Sequence, residues 1–110
     1  MKKLLVAVAL AALLFVSCGG GAGGKPKIGV AIYKFDDTFM SYVRNAISDN
    51  AKDKADVEIV DSQNSQPTQN EQVDAFLSKK VKALAINPVD RTAAAAIIEK
   101  AKAKNTPVVF

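Results

Sequence analysis

From Lys27 onward, short runs of apolar and β-branched residues alternate with segments whose apolar positions recur at helical spacing. That alternation constrains the fold more than any other feature. Lys27 to Tyr33 (KIGVAIY) is a compact apolar run suited to a strand buried on both faces of a parallel sheet. Phe35-Asp36-Asp37-Thr38 breaks it, and Phe39, Val43, Ala46, Ile47 and Ala51 then return at the spacing of a helix capped by Asp37 or Thr38. Val57 to Val60 is a second strand. After the polar stretch Asp61 to Gln66, Pro67 suits the first turn of a helix with the apolar face Val73, Phe76 and Leu77. Val81 to Ile86 is a third strand and Asn87 to Thr92 a loop. Ala93 to Lys102, capped by Asp90 or Thr92, is a helix that buries Ile97, Ile98 and Ala101, and Pro107-Val108-Val109-Phe110 begins a fourth strand. Strands separated by such helices require right-handed crossovers and a parallel sheet covered on both faces. The expectation is a doubly wound α/β lobe of four strands and three helices.

Composition misleads until its source is located. Of 110 residues, 49% are apolar, with 15 basic and 11 acidic side chains, one Cys and no His. Residues 1–16 hold 14 of the apolar residues and two of the lysines. Met1-Lys2-Lys3 is followed by an uncharged apolar run from Leu4 to Val16, which is shorter than the roughly 20 residues that span a bilayer. Residues 1–17 therefore read as a signal peptide. Phe15-Val16-Ser17-Cys18 resembles a bacterial lipobox, in which the thiol is acylated and Cys18 becomes the new N-terminus, although Phe15 stands where the motif has Leu. A buried cysteine near a generic cleavage site is the plainer alternative. Gly19 to Gly24 contains five of the six glycines and cannot pack a core, so 18–26 reads as a lipidated Cys and a Gly-rich tether.

Beyond residue 17, 13 basic and 11 acidic side chains are dispersed along the sequence, with no basic footprint for nucleic acid. A single Cys and the absence of His exclude a Cys/His metal cluster, a disulfide framework and histidine acid–base chemistry. One small domain fits this length, whereas two would need roughly 200 residues.

Ligands of open α/β sheets bind outside the carboxyl ends of the strands. The loops there carry Tyr33 to Phe39, Asp61 to Asn64 and Asn87 to Asp90. Carboxylates accept from hydroxyls, amides donate and accept, and an aromatic face covers the C–H side of a sugar ring. This set suits a neutral polyhydroxylated ligand, and no glycine-rich phosphate cradle accompanies it. The same residues have structural readings. Asp36 and Asp37 suit a helix start, Phe39 continues the stripe of Val43 and Ile47, and the other two loops suit solvated turns.

The strings IGVAIYKFDDTFMSYVRNAI, DSQN, VKALAINPVD and IIEKAKAKNTPVVF, in that order, resemble the start of bacterial periplasmic sugar-binding proteins of the galactose/glucose-binding type. The resemblance covers essentially all of 27–110. It implies a type I periplasmic-binding-protein lobe in which Asp37 hydrogen-bonds a sugar hydroxyl and Phe39 stacks on the hexose. It also implies export, lipid anchoring at Cys18, delivery of galactose or glucose to an ABC permease, and a chemoreceptor as a further partner. Family members have two lobes and roughly 300 residues. Residues 27–110 are thus expected to be an incomplete N-terminal lobe, with the second lobe and any calcium loop absent, unable to bind sugar alone. No cofactor is expected here, and an enzyme is not, because neighbouring Asp36 and Asp37 diverge at a helix start. The alternative is the ectodomain of a membrane sensor with the same fold.

Overall fold

The computed structural model describes residues 23–110, so the expected signal peptide, Cys18 and the first part of the glycine tether lie outside the described residues. The elements follow as β1 (Lys27–Ile32), α1 (Thr38–Ala51), β2 (Asp56–Asp61), α2 (Gln66–Ser78), β3 (Ala83–Ile86), a 3-10 turn (Arg91–Ala93), α3 (Ala94–Ala103) and β4 (Val108–Val109). All strand pairs are parallel, in the order β2-β1-β3-β4. This is the expected lobe, with the third helix preceded by a 3-10 turn that Asp90 caps through Thr92 N at 2.8 Å.

The order explains how the helices divide. The chain first steps to one side of β1 and then back across it, and right-handed crossovers place helices on opposite faces for the two directions. Strand alternation then assigns the core. Val30 and Ile32 join Met40, Val43 and Ile47 of α1 on one face, while Ala31, Leu84 and Ile86 pack against Val73, Phe76, Ile97 and Ala101 of α2 and α3 on the other. Burying these side chains supplies the main driving force of the fold, about 25 cal/mol per Å² of apolar area.

Three details differ from the periodicity. Ile98, expected in the core with Ile97 and Ala101, is only half-buried. The inward position of the first turn of α1 is Met40, while Phe39 is 70% exposed. Both lie within a turn of Val43, so spacing alone admits either. The side-chain cap at Asp37 fixes which one turns inward. In addition, Gly29 faces Phe76 so closely that an added Cβ would stand 2.5 Å from its Cγ. Glycine is required in mid-strand because an aromatic ring lies on its backbone.

Candidate functional site

The carboxyl edge of the sheet gathers three loops. Between β1 and β3 the strand order reverses, and open α/β sheets have their ligand crevice at such a switch point. Residues 33–37 follow β1 and residues 87–90 follow β3, so Asp37 and Phe39 lie on the β1 side of that position and Asn87 on its β3 side.

Asp37 is held from two directions. Its Oδ1 accepts from Met40 N at 2.9 Å as the N-cap of α1, and its Oδ2 accepts from the Tyr33 hydroxyl at 2.6 Å. These bonds, Tyr33 first, hold its carboxyl below the ordinary carboxylate value, and the same contact raises the Tyr33 phenol. Asp37 is therefore an ionised acceptor of fixed direction, with lone pairs left for a further donor. Phe39, two residues on, presents its ring to solvent.

The loops are tied together by amide side chains. Asn87 Oδ1 accepts from Tyr33 N at 3.4 Å, joining the loops after β1 and β3. Gln69, fully buried in α2, donates through Nε2 to Ser62 Oγ and to the Asn87 carbonyl, both at 3.0 Å, and accepts from Val89 N through Oε1 at 3.1 Å. One side chain thus satisfies groups from the loops after β2 and β3, so that no buried polar atom among them goes unpaired. Asp61 does the same between the first two loops, its Oδ1 accepting from Phe35 N at 3.2 Å and Gln63 N at 2.8 Å. Gln63 and Asn64 both adopt left-handed backbone, φ 52° and 55°, which lets Asn64 N reach the Tyr33 carbonyl at 2.6 Å. Lys34 pairs with Asp36 at 3.1 Å on the exposed rim.

The structure therefore brings Asp37 and Phe39 to one edge of the crevice and places Asp36 on the rim. Asp37 combines its capping role with an available carboxylate edge, whereas Phe39 takes no part in the core. Sequence reasoning missed Tyr33, Gln66, Gln69 and Gln72 as residues that hold the loops, while the loop from Asp61 to Asn64 already reads as shaping the cleft. Gln69 and Gln72, amides within a turn of Val73 and Phe76 on α2, were the available signals, because a polar residue on an apolar helix face needs buried partners.

Comparison with known proteins bears on the fold and the family. The periplasmic binding protein domain family matches residues 28–110. The D-galactose/methyl-galactoside binding periplasmic protein MglB of Haemophilus influenzae is 50% identical over 113 residues, covering 100% of this chain and 34% of that protein. Among solved structures, a solute-binding protein of an ABC transporter from Bacillus halodurans with bound myo-inositol is 34% identical, with TM-score 0.68 over 77% of this chain and 30% of the other. The fructose-binding periplasmic domain of a hybrid two-component system is 28% identical, with TM-score 0.70 over 77% of this chain and 29% of the other. The chain spans 34 to 40% of the length of the curated relatives it matches. Its sheet is part of the type I lobe seen in these neighbours, and the chain belongs to the periplasmic binding protein family.

Proposed function

We propose that residues 27–110 form one wall of the sugar cleft of an exported substrate-binding protein that captures galactose or glucose for an ABC permease. The observation that carries this reading is the exposed ring of Phe39 beside the ionised, doubly held carboxylate of Asp37 at the switch point. The ring stacks on the C–H face of a pyranose and Asp37 accepts from a hydroxyl. The choice of hexose rests on the Haemophilus influenzae relative. The myo-inositol of one structural neighbour and the fructose named for another are likewise uncharged polyols.

The bound sugar is released unchanged. One wall leaves most of it in water, so affinity needs a facing wall, and the chain alone shows no measurable binding. Cys18, acylated, anchors the protein outside the cytoplasmic membrane. A sensor ectodomain is the second reading, favoured by the neighbour from a two-component system. A transmembrane helix and kinase domain encoded beyond codon 110 would select it.

The test is a chimera in which residues 27–110 replace the matching part of the Haemophilus influenzae protein. Calorimetry should show galactose binding, weakened at least tenfold by Phe39→Ala or Asp37→Asn. A folded chimera indifferent to both substitutions would refute the assignment.

A further inference from the structure

The edge of the sheet opposite the crevice is where strands begin and helices end, and there the lysines dispersed along the sequence meet. Lys82 N donates to the Lys27 carbonyl at 2.7 Å, which sets the starts of β1 and β3 side by side. Lys25 reaches across to the Lys52 carbonyl beyond the end of α1, with Lys54 two residues on. Lys80 and Lys104 follow the ends of α2 and α3 and, with Lys82, line a cavity of about 340 Å³. These seven lysines are exposed, and among the described residues none forms an ion pair.

Three acidic residues, Asp49, Asp53 and Asp56, share that edge, leaving four net positive charges. The other six basic side chains of residues 23–110 stand against eight acidic ones, leaving two net negative charges. Lys79, the C-cap of α2, and Lys100 and Lys102 in the last turn of α3 are neutralised by Glu58, Asp74 and Glu99 at 2.8 to 3.2 Å and add no net charge there. The positive charge is therefore concentrated at one end. The polypeptide also enters the fold there, through Lys25 and Pro26 directly after the glycine run.

We propose that this amino-terminal edge is a docking surface for an anionic phospholipid bilayer. Several exposed lysines on one edge match a sheet of phosphate headgroups, each adding a similar increment of attraction within a Debye length of the surface. Beside a lipid anchor, a basic patch adds a separate electrostatic contact with the anionic surface. A bilayer is favoured over another polyanion because the chain enters the fold at this edge, so a glycine tether leading to a lipid anchor would hold the patch against that surface. The docking does not depend on sugar capture.

The test uses the intact 110-residue chain and vesicles of phosphatidylcholine with or without 30% phosphatidylglycerol, read by co-sedimentation. The leader is shared by every variant and cancels in the comparison. Lys82→Glu/Lys104→Glu should weaken partitioning to anionic vesicles by about 30-fold or more, the loss usual for two lysines near such a surface. Lys34→Glu/Arg91→Glu makes the same change in net charge at the opposite edge and should weaken it far less. Without any variant, partitioning of the parent chain should fall steeply as salt rises from 0.05 to 0.3 M and should be weaker on neutral vesicles. Equal losses for the two double variants, salt-independent partitioning, or preference for duplex DNA or an acidic peptide over vesicles at 0.15 M salt would overturn the proposal.

Discussion

Tyr33 and Asp37 share one hydrogen bond whose effect is visible on both partners. The phenol is raised above 10.0 and the carboxyl lowered below 3.8, each mainly through that bond. Because the folded value of Asp37 lies below its ordinary one, the stability it contributes is complete above pH 3.8 and is lost as pH falls through the lowered value. Around it stand Lys34 and Asp36 of the same loop, Arg44 stacked on Phe35 at 3.9 Å, and Asp61 holding Phe35 N. Tyr33→Phe removes only the hydroxyl. An NMR titration of the Asp37 side-chain carboxyl carbon should show its midpoint moving up toward the ordinary value in that variant, and an unchanged midpoint would refute the role assigned to Tyr33. This pairing was not legible beforehand, because the spacing of Tyr33 and Asp37 across a loop says nothing of direction. The cap itself was legible, since an Asp before a helical stripe has few other uses.

At the level of elements, the four strands and three helices follow from alternation and caps, with small shifts. The third strand begins at Ala83 where Val81 was expected, because Lys80 and Val81 are used to end α2. Lys80 takes the left-handed position, φ 57°, while its N–H and that of Val81 return to the Leu77 and Phe76 carbonyls. Asn105 and Thr106 repeat the arrangement after α3. Such endings depend on tertiary docking of the next strand, which local sequence does not encode. A close joint between elements is Gly29 of β1 beneath Phe76 of α2. Gly29→Ala forces a methyl group into a buried ring, where overpacking costs about 1–3 kcal/mol. Urea unfolding should show a lower midpoint with little change in slope, whereas an unaltered midpoint would mean that α2 shifts freely on the sheet.

Across the whole molecule, the two sheet faces are unequally covered. α2 and α3 lie over one face, while α1 alone lies over the other and packs toward β1 and β2. Val109 and Phe110 are left 64% and 54% exposed beside a shallow apolar groove of about 150 Å³ lined also by Val43, Ile47 and Ala85. Exposed apolar surface next to a strand edge favours association. Sedimentation velocity of residues 23–110 should therefore show self-association that grows with concentration and diminishes in Val109→Ser/Phe110→Ser. A concentration-independent monomer with a sharp thermal transition would contradict this. The dispersal of charge along the sequence gave no hint of its concentration in space, because only the parallel winding sends every helix end to the edge where strands begin.

The crevice and the lysines thus stand at opposite ends of every strand. On the docking and the function proposed above, a molecule resting on its lysines turns its sugar-facing loops toward open solution, the right attitude for catching a solute and the wrong one for passing it to a permease in the same bilayer. Handover then requires the body to roll over on its tether, breaking the lysine contacts as it goes. Waiting and delivering become competing postures of one molecule, and ionic strength sets the balance between them.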